Sequence, residues 1–258
     1  MTVELIPLAP ADAIAALERR GRQLAPSFDW RDVYAQEHAA MFTVAKSAGF
    51  DVLADIETAL ERALSEGETF EQFARRLEPI LREKGWWGRQ SATDPETGQT
   101  RTVQLGSPRR LRTIFETNMR VSYATGHWER FQRQKQSRPF LRYVAILDEA
   151  TRPVHRQMHN LVLPVDHPFW ELFAPPNGWG CRCTLQNLSA RDLDRLKAQG
   201  VAIIETPPDI TTRPFTNRRT GEVRMIPDGI DPGWDYNPGE AGHARTVSRL
   251  EDKLDDQA

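Results

Sequence analysis

The sequence predicts an α+β protein with a helical N-terminal half, a long central helix and a small, irregular, β- and loop-rich C-terminal module with an extended tail. Three observations predict this class. Apolar residues recur at helical spacing through the first 85 residues. An amphipathic run that begins with Ser107 and Pro108 extends to about residue 134, and proline, glycine and threonine dominate after residue 205.

The N-terminal region, residues 1–88, is predicted to be helical. Within it, the stretch 51–64 places Leu53, Ile56 and Leu60 on one face at helical spacing, which is typical of a helix that packs on a core. Two weaker helical patterns cover residues 10–24 and 31–47.

A second strong helix is predicted over residues 69–85. Thr69 and Gln72 have the spacing of a capping box, and Gly85 stands where a helix commonly ends. Pro79 lies inside the pattern. Because proline lacks a backbone N–H and its ring clashes with the preceding turn, we expect a kink or a split there.

The turn sequence "DPETG" between alternating residues predicts a β-hairpin insertion over residues 89–106. Ser107 and Pro108 then supply an N-cap and a first-turn proline for the long helix. The rest of the chain is predicted to form a core domain at residues 107–205 and an extended tail at 206–258. In this tail "ARTVSRLEDKL" predicts a terminal helix.

The charge of the chain is balanced but segregated. The sequence has 34 Lys and Arg against 36 Asp and Glu, a formal net charge of −2. Residues 101–142, however, contain ten Lys or Arg against only Glu116 and Glu129. Such a helix can contact phosphate groups, and the alternative is a solvated helix face. The candidate nucleic-acid-binding residues are Arg109, Arg110, Arg112, Arg120, Arg130 and Arg133.

The sequence also indicates where the protein is made. No run approaches 18 apolar residues, and the N-terminus lacks the basic start and cleavage site of a signal peptide. We therefore expect a protein of the reducing cytoplasm without a membrane partner. The two cysteines are then free thiols or metal ligands, because a disulfide across a one-residue gap would be strained.

A candidate zinc site consists of His155, His159, Cys181 and Cys183. The histidines are four residues apart, so that one helical turn would direct both imidazoles the same way. The cysteines lie in "FAPPNGWGCRC", where glycines allow sharp turns that could bring both sulfurs to one place. Two imidazoles and two thiolates suit zinc. The alternative is that the cysteines are small buried core residues.

An enzymatic alternative uses the same region. The side chains of Asp148, Arg152, His155, His159 and Arg182 are polar and follow a basic helix, so that they could act as acid, base and phosphate clamp in nucleic-acid cleavage. The sequence has no phosphate-binding glycine loop and no nucleophile with a recognisable partner. We therefore expect the protein not to be an enzyme, with a His-dependent nuclease as the weaker alternative.

Four motifs in series resemble one protein family. They are "ETNMRVSYATGHWERF", "RYVAILDEATRPVHRQMHNLVLPVDHPFW", "PPNGWGCRC" and "DGIDPGWDYNPG". In this order they resemble the phage Mu-type minor head proteins, a head morphogenesis family related to the SPP1-type minor head protein. The resemblance covers residues 107–240 closely and the N-terminal helices only in general character.

The resemblance implies a minor protein of the virion head that is made in the host cytoplasm. Such proteins associate with the portal vertex and act in head assembly, and some handle or deliver packaged DNA. The implied partners are the phage portal protein, scaffold or major capsid protein, and packaged DNA. Many relatives have a C-x-x-C where this chain has Arg152 and His155, so one potential ligand is kept at His155 and one is lost at Arg152.

Overall fold

The computed structural model describes residues 9–47 and 49–242 and confirms the α+β class. The chain forms two compact units, one of residues 1–29 and 41–126, the other of residues 30–40 and 127–258. The helices are α1 Ala11–Gly21, α2 Glu37–Ala40, α3 Phe50–Glu66, α4 Phe70–Glu83, α5 Pro108–Gln134, α6 Pro153–Gln157, α7 Trp170–Phe173 and α8 Ala190–Ala198. The strands are β1 Arg89–Thr93, β2 Thr100–Gln104, β3 Phe140–Val144, β4 Val162–Pro164, β5 Thr184–Leu188, β6 Thr212–Thr216 and β7 Val223–Pro227.

Helices α1, α3, α4 and the start of α5 enclose the core of the first unit. The predicted stripe on α3 is confirmed, because Leu53, Ile56 and Leu60 are fully buried. Phe73 of α4 and Leu111 of α5 complete the same cluster. Burial of such side chains is worth about 1.5–3 kcal/mol each and is the main force that holds the helices together.

Helix α4 is not split at Pro79. The helix begins at the predicted capping box, in which Thr69 N–H donates to Gln72 Oε1 over 2.8 Å and Gln72 N–H donates to Thr69 Oγ1 over 3.3 Å. It continues unbroken past the proline to Glu83. Because Phe73, Leu77 and Leu81 are all buried on one face, packing outweighs the single backbone hydrogen bond that proline removes.

The helix predicted over residues 31–47 is wrong apart from the single turn of α2. Residues 31–36 form turns and bends, whereas Phe42 and Ala45 after this turn bridge Leu24 and Ser27 in parallel pairing. Phe42 is almost fully buried. Its burial in the first unit decides the local conformation, since isolated helical patterns of this length are marginal on their own.

The predicted hairpin and the long central helix are both confirmed. Strands β1 and β2 pair antiparallel, with Arg89 opposite Gln104 and Thr93 opposite Thr100. Helix α5 then begins at Pro108, where Arg110 N–H donates to Ser107 Oγ over 3.2 Å. This is the N-cap contact that Ser107 predicted. The division between the two compact units falls within this helix, after residue 126.

A small antiparallel sheet forms the centre of the second unit. Its strand order is β4-β3-β5, with Phe140 opposite both Pro164 and Leu188. Leu141 and Tyr143 of the middle strand are fully buried. Helix α8 follows β5 and begins at a capping box between Ser189 and Asp192.

The tail is more regular than its composition predicts. Strands β6 and β7 form an antiparallel hairpin whose turn contains Gly221 at a φ of 75°. Phe215 stacks on Tyr34, and Arg219 forms an ion pair with Asp32 over 2.7 Å. These contacts attach the hairpin to the segment 30–40. The predicted terminal helix lies outside the described residues, and within them no helix has the length and apolarity needed to cross a membrane.

A buried carboxyl group lies between α1 and α3 in the first unit. Glu57 is 9% exposed and lies against Gly21. Burial raises the pKa of Glu57 to about 8, and a hydrogen bond with Glu61 acts in the same direction, whereas the charge of Arg20 opposes the rise. The folded state therefore holds a proton on Glu57 over a pH range in which the unfolded chain releases it.

The Glu57→Gln variant should be more stable than the wild type at alkaline pH. Because the pKa of Glu57 is raised, wild-type stability is complete below about pH 4.5 and falls as the pH rises toward about 8. Glutamine removes this loss, so we expect a gain of about 1–2 kcal/mol at pH 9 and little gain at pH 4. Urea unfolding at both pH values measures it. The control is Glu66→Gln on the exposed face of α3, which should leave the free energy of unfolding unchanged at pH 4 and at pH 9. An equal effect of Glu57→Gln at the two pH values would contradict the prediction.

Candidate metal centre

Three of the four predicted zinc ligands meet in the second unit. His155, Cys181 and Cys183 place one imidazole nitrogen and two sulfurs within 4.8 Å of one another. Nδ1 of His155 lies 3.8 Å from Cys181 Sγ and 3.6 Å from Cys183 Sγ. His155 is 2% exposed and Cys181 is 3% exposed, whereas Cys183 is half-buried. Imidazole and two thiols in this arrangement are soft and borderline donors of the kind that zinc prefers.

The opposite side of the His155 ring is held by the tail. Its Nε2 lies 2.7 Å from the carbonyl oxygen of Gly229. A carbonyl oxygen can only accept, so Nε2 carries the proton and Nδ1 presents its lone pair to the sulfurs. A backbone carbonyl behind a histidine is also the usual support of a metal-binding imidazole.

The two thiols differ in acidity because they contact each other. A hydrogen bond from Cys183 lowers the pKa of Cys181, and the contact with His155 acts in the same direction against the effect of burial. As the donor in that contact, Cys183 has its pKa raised, and burial raises it further. Burial and the neighbouring sulfurs also raise the pKa of Tyr143 well above its usual value.

Asn177 holds the turn that carries the cysteines. This side chain is fully buried. Its Nδ2 donates to the carbonyl oxygens of Leu172 and Ala174 over 3.2 and 3.5 Å, and its Oδ1 accepts from Tyr143 Oη over 3.1 Å. The peptide bond between Pro175 and Pro176 is cis. One amide thus connects the turn to helix α7 and to the middle strand of the sheet.

Arg152 holds the same turn from outside through Asp231. Oδ2 of Asp231 accepts from Arg152 Nη2 over 2.7 Å and from Trp179 N–H over 2.8 Å. Arg152 also donates to the carbonyl of Trp179 over 3.1 Å. The carboxylate fits only because residue 178 is glycine, since a Cβ at Gly178 would lie 2.3 Å from Asp231 Oδ2.

His159 does not join the cluster, contrary to the helical-spacing prediction. Helix α6 ends at Gln157, and Asn160 turns the chain with a φ of 70°. The two histidines therefore do not lie on one continuous helix. His159 Nδ1 instead accepts from the N–H of Ala145 over 3.2 Å, and burial lowers its pKa. Among residues 9–47 and 49–242, His155, Cys181 and Cys183 alone form a histidine, cysteine or carboxylate group of metal-binding size.

The residues of the enzymatic alternative take up separate contacts. Asp148 forms a two-pronged ion pair with Arg182 over 2.7 and 2.6 Å, which lowers the pKa of Asp148 to about 2. Arg152 pairs with Asp231, and His159 accepts from the backbone of Ala145, the residue that follows β3. The five groups therefore do not point to one shared position.

The predicted basic helix contains arginines in two kinds of environment. Arg110 is partly buried, donates to the carbonyls of Gln104 and Leu105, and lies over the Trp86 ring. Arg112 pairs with Glu71 and Glu116, and Arg120 pairs with Glu116. The remaining candidates, Arg109, Arg130 and Arg133, are exposed.

Four residues of the site were missed by the sequence reasoning. Tyr143 lies on β3, Asn177 lies in the turn after α7, and Gly229 and Asp231 lie together in the tail, so no short-range pattern connects the three places. The repeated "DG" and "DPG" of the tail was the available signal, because such segments are typical of tight turns that present backbone carbonyls.

Comparison with known proteins places the chain in a family of phage proteins. The chain matches the family described as "Phage Mu protein F like protein" over residues 54–186, just over half of its length. The protein therefore belongs to the Phage Mu protein F-like family, which confirms the resemblance carried by the four motifs. No solved structure matches the chain significantly.

Two relatives are similar over most of the chain. "Putative capsid assembly protein F" of Escherichia phage Mu is 39% identical over 247 residues, which is 91% of this chain and 55% of the relative. "Mu-like prophage FluMu F protein" of Haemophilus influenzae is 35% identical over 238 residues, which is 87% of this chain and 55% of the relative. The chain thus spans about half the length of these curated relatives.

The close approach of Asp231 to Gly178 predicts a non-additive pair of substitutions. Gly178→Ala should destabilise the protein by about 1–3 kcal/mol, because the new methyl group displaces a carboxylate that accepts two hydrogen bonds. In an Asp231→Ala background that carboxylate is gone, so the glycine substitution should cost less than half as much. Chemical unfolding of the four proteins of this cycle measures the coupling. Equal costs in both backgrounds would contradict the contact.

Proposed function

We propose that the protein acts in assembly of the phage head, at or near the portal vertex. The observation that carries this proposal is the 39% identity, over 91% of the chain, to a protein named as a putative capsid assembly protein of phage Mu. Two further parts of the proposal come from the family resemblance. They are the location at the portal and a role in the packaging or delivery of DNA. The protein would then be found in the virion head.

The structure supports a role in binding rather than in catalysis. The polar groups next to the cysteine turn are engaged in pairs such as Asp148–Arg182 and Arg152–Asp231, which hold the fold. The β6–β7 hairpin exposes apolar side chains at Val223 and Met225, which are 61% and 59% exposed. Exposed apolar side chains of this kind are common on surfaces that contact other proteins.

The proposal predicts that the portal protein captures this chain. The full chain is co-expressed with a tagged portal protein from its own phage, and, in a parallel experiment, with the major capsid and scaffold proteins. We expect a stable complex with the portal that survives gel filtration. The control is the portal of an unrelated phage, which should capture nothing. Capture by assembled heads but not by the portal would contradict the location, and capture by neither would contradict the assembly role.

A second candidate function is binding of packaged DNA by α5. The observation that favours it is the exposure of Arg109 and Arg130, which contrasts with the ion-paired Arg112 and Arg120 on the same helix. Exposed guanidinium groups can exchange water for phosphate contacts, whereas paired ones would first have to give up a carboxylate.

If α5 binds DNA, each exposed arginine should contribute separately to the salt dependence of the affinity. Arg109→Ala and Arg130→Ala should each lower the slope of log affinity against log salt by about 0.9, the value for one phosphate contact. Arg120→Ala is the matched control, because Arg120 already pairs with Glu116 over 3.1 Å, and it should leave the slope unchanged. Fluorescence anisotropy with duplex DNA at several salt concentrations measures this. A uniform effect of all three substitutions would contradict the assignment.

A further inference from the structure

We propose that His155, Cys181 and Cys183 bind one zinc ion through three protein ligands, and that water occupies the fourth position. The site differs from the four-ligand set expected from the sequence, because His159 is held elsewhere by Ala145. It does not depend on the role of the protein in head assembly.

The distances fit a tetrahedral zinc ion. With zinc–nitrogen bonds of about 2.0–2.1 Å and zinc–sulfur bonds of about 2.3 Å, tetrahedral angles place nitrogen about 3.5 Å from each sulfur. In the protein, Nδ1 of His155 lies 3.6 Å from Cys183 Sγ and 3.8 Å from Cys181 Sγ. Both nitrogen–sulfur separations are therefore within a few tenths of an ångström of those in a tetrahedral zinc site, and all three ligand atoms lie within 4.8 Å of one another.

The hydrogen-bonding capacity of the imidazole favours a metal over a simple packing contact. Nδ1 of His155 has one lone pair, since Nε2 carries the proton that is donated to Gly229 over 2.7 Å. Two sulfurs approach this one lone pair, which can accept one S–H at most, so the S–H of Cys183 is left with the sulfur of Cys181, a weak acceptor. A cation between the three atoms satisfies all of them at once.

The surroundings of the three ligands are preorganised. The Gly229 carbonyl orients His155, and the buried Asn177 amide holds the turn of the cysteines. Arg152 and Asp231 hold that turn from the other side. Such outer contacts fix the orientation of the ligands before the metal arrives, which raises the affinity of a metal site.

Water is proposed at the fourth position because the described part of the chain places no fourth protein ligand near the group. Within residues 9–47 and 49–242, no further histidine, cysteine or carboxylate lies close enough to complete the group. Tyr143 packs nearby, but its hydroxyl donates to Asn177 over 3.1 Å. Zinc with three protein ligands commonly keeps an exchangeable water in the fourth place.

Metal analysis of the untagged full chain tests the proposal directly. We expect about one zinc per chain by elemental analysis, and less than about 0.2 zinc per chain without exposure to chelator would overturn it. Zinc should also protect both cysteines from alkylation, with a rate at least about 10-fold lower than after chelation. Free reaction of the thiols in the presence of zinc would overturn the proposal, even if no variant folds.

Ligand variants then test which residues bind. His155→Asn, Cys181→Ser and Cys183→Ser should each weaken zinc binding by more than about 100-fold. His159→Asn is the matched control and should retain full binding, whereas a comparable loss there would restore the four-ligand site and overturn this one. Circular dichroism of each variant identifies any loss of binding that is due to unfolding.

Cobalt substitution tests the fourth position. Cobalt bound to the wild-type chain should show the visible bands of a tetrahedral ion and the near-ultraviolet thiolate-to-metal bands of two sulfurs. Addition of imidazole should shift the visible bands, because it replaces an exchangeable water. Unchanged bands in the wild type would overturn the open position and show that the chain itself supplies a fourth ligand.

Discussion

The buried amide of Asn177 is the contact on which the second unit depends most. Its side chain satisfies two carbonyls of the segment at the end of α7 and accepts from Tyr143 in the central strand, while its own carbonyl accepts from the N–H of Asp231 over 3.0 Å. Sheet, turn and tail therefore meet at one fully buried residue. Buried polar groups are costly unless every hydrogen bond is made, so this network allows only one arrangement of the turn and thereby positions Cys181 and Cys183.

Arg152 holds the turn of the cysteines without being a metal ligand itself. It forms an ion pair with Asp231 and donates to the carbonyl of Trp179. The same turn is thus held by charge and hydrogen bonds. A three-ligand centre with an outer Arg–Asp clamp is a consistent alternative to a centre closed by four protein ligands.

Long-range packing determined the backbone conformation at the two places where the periodic patterns were misleading. Pro79 does not split α4, because three buried apolar side chains hold the helix on both sides of it. Residues 31–47 do not form the expected helix, because Phe42 is buried through extended pairing with Leu24. In both cases a local backbone preference competes with the burial of apolar side chains, and burial contributes more to the free energy of folding.

The sequence by itself determined the class, the capping box of α4, the hairpin at 89–106 and the start of α5, because each depends on residues a few positions apart. It also identified the three side chains that meet, among its four predicted ligands. Only the tertiary structure decided that His155 faces the cysteines while His159 does not. That choice depends on the end of a short helix and on the Gly229 carbonyl 74 residues away, and no local pattern encodes a contact at such a distance.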